Sequence, residues 1–251
     1  MESIKVQAMK VAHHGRQADG IFYASQEEGR YPVVVFSHGY NGHQSDFDWT
    51  ARYLAERGIC SFSHTFCGGS TRDESGMPTT EMTIFTEKED LLAVIDFVKQ
   101  LEQVDAERIF VFGGSQGGLV TALAAEEIPE ELRGMILLFP AFCIADDWNK
   151  RFPKEEDIPE AEVLWDMKLG RVFFESLRGF EVFEHVGKYA KNILVMHGDL
   201  DPIVALGYSE RIVNAYPHVQ LEVFKGEGHG FTPKGNERMT ELLYEFVKAN
   251  I

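Results

Sequence analysis

The chain has 251 residues, with 44% hydrophobic and 25% charged side chains and a formal net charge of −16. That length suits one α/β domain able to bury a large core, and the acidity disfavours nucleic acid, anionic membranes and polyanionic substrates as partners. The opening residues lack a basic stretch leading into an apolar run, and no segment approaches the ~18 apolar residues of a membrane span, so a cytoplasmic protein is expected.

In chain order, "IKVQAM" and "IFYAS" predict an opening antiparallel hairpin. "YPVVVFSH" is a near-continuous apolar run, as expected of a strand covered on both faces. "FDWTARYLAERG" predicts a helix that stops at Gly58, and "ICSFSHTF" the next strand. From Thr86 to Leu101 the apolar residues Leu91, Val94, Ile95 and Val98 recur at helical spacing, and Thr86 with Glu89 reads as a capping box. "RIFVFGG", "RGMILLFPA", "NILVMHG" and "VQLEVFKG" predict four further strands. "QGGLVTALAAEE" and "GYSERIVNAY" predict helices between them, and "ERMTELLYEFVKANI" a final one. Alternating strands and helices imply a mostly parallel sheet with helices on both faces, whose ligand site lies beyond the carboxyl ends of the strands. Cys60, Cys67 and Cys143 are scattered and odd in number, which reads as reduced core thiols rather than a disulfide framework.

The chemistry therefore belongs to the residues that follow the strands. After "RIFVF" comes Gly113-Gly114-Ser115-Gln116-Gly117, a G-x-S-x-G between a strand and a helix. That context lifts a serine Oγ clear of its own backbone on a strained turn. The Gln116 amide, at the start of a helix, can stabilise an oxyanion. A phosphate-binding loop would need a Lys-Ser/Thr pair after the glycines, and none follows. A nucleophilic serine needs a base, and the base an orienting acid. "HGDLDPIV" and "GEGHGF" place an acid, Asp199 or Asp201, and then His229 just after later strands. The order serine, acid, histidine is that of the α/β-hydrolases. His197 reads as a structural histidine at a strand end, and no second ligand stands at metal-like spacing from it. His13 and His14, adjacent in the hairpin, point apart and predict no metal site.

From about Tyr31 onward the chain resembles the α/β-hydrolase superfamily, on "FSHGYNGH", "FCGGS", "GGSQGGL", "HGDLDPIV" and "GEGHGF". Within it, the sequence is most similar to small bacterial serine esterases of the cinnamoyl/feruloyl type, with dienelactone-hydrolase and prolyl-oligopeptidase-like relatives nearby. The resemblance implies Ser115 as nucleophile, His229 as general base and, through the pattern H-G-x-x-D, Asp201 as acid, leaving Asp199 to shape the turn. It implies Tyr40, after His38-Gly39, as the second oxyanion amide beside Gln116, with His38 fixing the loop and the Tyr40 side chain at the mouth of the site.

Between "RGMILLFPA" and "NILVMHG" lie about fifty residues, too many for a plain crossover. Relatives insert a cap at this place, so residues 141–184 are expected to form a small lid on a single 1–251 α/β-hydrolase domain. Trp165, Phe173 and Phe174 are candidates for gripping an apolar or aromatic acyl group, Trp165 foremost. The alternative is that they only anchor the lid, and the two phenylalanines could not both face the site from a strand. The implied activity is a serine carboxylesterase for small, fairly apolar esters, hydroxycinnamoyl esters among them. It works without cofactor or metal on a small-molecule substrate, with no nucleic-acid or membrane partner, and oligomeric state is not readable. A thioesterase, lactonase or peptidase would use the same residues. A ligand-binding relative without turnover is the reading from outside enzymology.

Overall fold

The computed structural model describes residues 4–251. β1 (Ile4–His13) and β2 (Arg16–Ser25) form the expected hairpin, closed by His14 and Gly15 with positive φ of 43° and 76°. Two such residues give the turn a twist that matches the strands it joins. β3 (Tyr31–Ser37), β4 (Cys60–His64), β5 (Val104–Gly114), β6 (Gly134–Leu138), β9 (Ile193–Gly198) and β10 (Val219–Phe224) complete an eight-stranded sheet. Its order is β1-β2-β4-β3-β5-β6-β9-β10, antiparallel at the β1–β2 and β2–β4 pairings and parallel from β4 onward.

Strand alternation divides the apolar runs between two cores. Val33, Val35, Val111 and Val195 face one side, where they join Leu91 and Val94 of α2 (Ile84–Val98) and Leu119 of α3 (Gln116–Glu127). Val34, Phe36, Phe112 and Met196 face the other, with Leu54 of α1 (Asp48–Ala55) and Leu243 of α6 (Pro233–Ala249). Both faces of the sheet are covered, so the central strands carry no polar face.

The helix ends follow local chemistry. Beyond α1, the Gly58 N–H donates to Ala55 and the Ile59 N–H to Leu54, with Gly58 at φ +74°. That is a left-handed glycine closing the last turn. α2 starts two residues before the predicted Thr86. Its cap is Thr83, whose hydroxyl accepts the Thr86 N–H while the Thr86 hydroxyl accepts the Thr83 N–H. A threonine thus replaces the expected Glu89 in the reciprocal pair, and Glu89 instead meets Arg16 at 2.8 Å.

The segment between β6 and β9 holds α4 (Ile144–Arg151), a hairpin of β7 (Ala161–Leu164) and β8 (Met167–Gly170), and α5 (Arg171–Ser176). Ile144, Ile158, Met167, Leu169, Phe173 and Phe174 belong to the same apolar cluster as α2 and α3, so the segment has no core of its own. Phe173 and Phe174 lie on a helix, where both are buried, and the constraint a strand would impose does not arise.

Candidate active site

β5 delivers Ser115 on a turn with φ 52° and ψ −119°, a strained conformation for any residue but glycine. The flanking glycines are set by close approach. A Cβ on Gly113 would lie 2.2 Å from the Gly117 carbonyl oxygen, and one on Gly117 would lie 2.2 Å from that of His38. The turn is thus packed between α3 and the loop after β3.

The Ser115 hydroxyl donates to His229 Nε2 at 2.9 Å. His229 Nδ1 donates to Asp201 Oδ2 at 2.8 Å. The other carboxylate oxygen of Asp201 accepts the N–H groups of Ile203 and Val204, at 2.8 and 2.9 Å. Burial works against the charge of Asp201, but the Val204 amide, His229 and the Ile203 amide hold its carboxyl below the ordinary value. Asp199 stands apart, accepting the Gly226 N–H at 2.7 Å in the turn after β10. Of the two acids open in the sequence, only Asp201 reaches the imidazole.

His197, expected to be merely structural, lies against Asp201. Its Nε2 is 3.2 Å from Asp201 Oδ2 and 2.9 Å from the Val204 carbonyl, and Nδ1 meets the Ser209 hydroxyl at 2.7 Å. Two acceptors on Nε2 require the proton there, and burial keeps the imidazole neutral by pushing its pKa down. It therefore gives the carboxylate a further donor.

The loop after β3 passes directly against the serine turn, for a Cβ on Gly39 would sit 3.1 Å from that of Ser115. His38, fully buried and pushed down to about 4 by that burial, is neutral. It donates from Nδ1 to the Gly39 carbonyl at 2.6 Å and accepts the Phe66 N–H on Nε2 at 3.0 Å. This holds the loop that carries the Tyr40 amide. Gln116 opens α3, so its amide has no acceptor within the helix.

Ser115, Tyr40 and Gln116 line a cavity of about 250 Å³ whose wall is largely apolar, with Ile144, Trp148, Leu164, Trp165, Leu169 and Phe173 around it and Asp147 and Arg151 as its charged lining residues. Phe174 is not among the lining residues; it packs against Trp148 and Phe152 instead. Trp165 is half-exposed and borders a second, more open cleft with His229, Gly39 and Asp46. It stands at a hairpin tip where Trp165 and Asp166 both have positive φ, 43° and 65°. The Tyr40 hydroxyl donates to the carbonyls of Leu164 and Met167 at 3.0 and 3.2 Å, and Asn41 to that of Trp165 at 3.1 Å. The loop bearing the Tyr40 amide therefore also pins the hairpin.

Among the described residues, one group of possible metal ligands comes together, His13, Cys67 and Asp90, with donor atoms within 4.8 Å of one another. One oxygen of its carboxylate accepts the Cys67 N–H at 2.7 Å, and the other lies 3.1 Å from the His13 imidazole and 3.5 Å from Arg16. Burial pushes the Cys67 thiol up to about 12, so it rests protonated. No helix of the described residues is long and apolar enough to cross a membrane.

Residues 45–251 match the prolyl oligopeptidase family. The structure is similar to that of Est1E from Butyrivibrio proteoclasticus, solved with ferulic acid bound. The TM-score is 0.87 and the identity 26%, over 97% of this chain and 99% of that one. In sequence, the chain is 23% identical to the uncharacterized peptidase YtmA of Bacillus subtilis over 64% of its own length and 63% of that protein's. It is 30% identical to the monoglyceride lipase of Rattus norvegicus over 43% of its length and 34% of the lipase's. It thus spans less than two thirds of either relative.

Proposed function

The chain belongs to the prolyl oligopeptidase family and has the α/β-hydrolase fold, and from that premise we propose that it is a serine hydrolase, a carboxylesterase for small, fairly apolar esters, hydroxycinnamoyl esters among them. The observation that carries this reading is the hydrogen-bonded series Ser115–His229–Asp201 opening onto one apolar cavity. Ser115 Oγ attacks the ester carbonyl as His229 Nε2 takes its proton. The tetrahedral oxyanion is held by the Tyr40 and Gln116 amides, and Asp201 stabilises the imidazolium. Collapse breaks the bond to the alcohol, whose oxygen receives the proton from His229. Water then repeats the sequence on the acyl-Ser115 and returns the free acid. Every step uses side chains and amides already present, with no cofactor in it.

In this reading residues 141–184 are a lid, and Trp165 contacts the acyl group while dividing its cavity from the cleft that receives the alcohol. The likeness to a structure holding ferulic acid supports an aromatic acyl group. Three buried free thiols support a reducing, cytoplasmic setting. The test is a turnover screen over alkyl, aryl and hydroxycinnamoyl esters, thioesters, lactones and aminoacyl amides. Esters with aromatic acyl groups should lead. Preference for amides would make the protein a peptidase. Absence of turnover together with absence of fluorophosphonate labelling would leave a ligand-binding relative.

A further inference from the structure

α2 carries two acidic side chains into the interior one turn apart, Glu87 and Asp90. Asp90 has cationic company in Arg16. Glu87 has none. Its Oε2 instead accepts the side-chain N–H of Gln116 at 2.8 Å, with both residues buried. On the other side the chain closes in, for a Cβ on Gly69 would lie 2.8 Å from Glu87 Oε1. The carboxyl group is thus wedged between the loop after β4 and the residue that follows the serine turn.

Burying a carboxyl group costs free energy that an apolar side chain of the same size would avoid. What the carboxyl group adds here is a fixed acceptor for Gln116. We propose that Glu87 is a positioning residue for the oxyanion site, holding Gln116 by its carboxamide so that the Gln116 amide stays aimed at the reacting oxygen. The inference rests on the esterase reading above and extends it to a residue that touches no substrate.

The protonation of Glu87 then matters. Burial pushes its carboxyl up to about 8, with the Gln116 hydrogen bond working against the rise and Asp90 adding to it. The ionisable groups coupled to it are Asp90 on its own helix and the Tyr40 phenol, itself pushed up by burial; neither brings a positive charge. At neutral pH Glu87 is uncharged and Gln116 is held. Above about 8 it becomes a buried anion with no cation beside it; it still accepts from Gln116, but its charge next to that residue opposes the negative charge that develops on the reacting oxygen.

The experiment measures kcat and KM of the whole chain for 4-nitrophenyl acetate from about pH 6 to about pH 10, alongside thermal melts. Wild-type kcat should fall on the alkaline side. Glu87→Gln keeps the size and the acceptor without the charge. It should hold kcat near the wild-type value at neutral pH and lose the alkaline fall. Glu87→Leu removes the acceptor and should lower kcat about tenfold with little change in KM, short of the hundredfold or more expected when an oxyanion donor is lost outright. A wild-type alkaline fall in Glu87→Gln would overturn the proposal, as would wild-type kcat in a folded Glu87→Leu. If Glu87→Leu does not fold, the Glu87→Gln profile decides alone. Ser115→Ala separates the two levels. Should it retain turnover, the esterase reading fails; should it be inactive while both Glu87 variants behave as wild type, only this inference fails.

Discussion

Replacing Asp201 by asparagine changes one atom, and the structure dictates where that atom goes. One oxygen of Asp201 accepts two backbone N–H groups, from Ile203 and Val204. The other faces His229 Nδ1 at 2.8 Å and His197 Nε2 at 3.2 Å. Asparagine has a single oxygen, and two fixed amides claim it. Its NH2 group is therefore forced toward His229, where it donates to Nδ1. The His229 proton must then sit on Nε2, facing the Ser115 hydroxyl, and that nitrogen can no longer accept. Tautomer reversal of this kind costs about 10⁴-fold in turnover in a serine protease, equivalent to about 5 kcal/mol of transition-state stabilisation. Asp201→Asn should lose kcat/KM for 4-nitrophenyl acetate on that scale. Its melting temperature should also drop, because the new NH2 group confronts the His197 N–H. Asp199→Asn keeps an acceptor for Gly226 and should change kcat/KM only a few-fold. Asp201→Asn activity close to wild type, or a larger loss in Asp199→Asn, would refute the assignment of the acid.

Trp165→Ala should reduce kcat/KM for feruloyl esters several-fold, since an aromatic contact contributes about 0.5–1.5 kcal/mol beyond area burial, while acetyl esters change little; equal losses on both would leave Trp165 as an anchor. Stability should fall in acid. Burial lowers the folded pKa of His38 to about 4 and of His64 to about 3, so unfolding takes up protons as pH drops below the ordinary imidazole value. The melting temperature should decline from about pH 6.5 toward those values, and His64→Phe should flatten the slope; an unaltered slope would show that His64 is not one of the groups responsible.

What could be read from the sequence was whatever a local rule controls. The serine turn was legible because close backbone approach admits only glycine at 113 and 117. The β/α order was legible because strands covered on both faces become unbroken apolar runs. Features set by tertiary contact were not. Trp165-Asp166 gives a weak turn signal, for Asp166 tolerates positive φ but a bulky Trp165 does not favour it, and the bend is held by Tyr40 and Asn41. The Thr83 cap was missed because Thr86 with Glu89 fits the same rule three residues later. His197 reads as one more strand-end residue until the fold sets Asp201 beside it. Glu87 did leave a trace, standing with Asp90 on the helical face of Leu91 and Val94, where an acid is out of place.

The central claim is that Ser115 is the nucleophile, and intact mass spectrometry after exposure to a fluorophosphonate tests it most directly. The account predicts a single adduct, mapped to Ser115, formed in step with loss of esterase activity. It also predicts neither adduct nor turnover in a Ser115→Ala protein that melts like the wild type. An adduct on another residue, or full hydrolysis by folded Ser115→Ala, would contradict it.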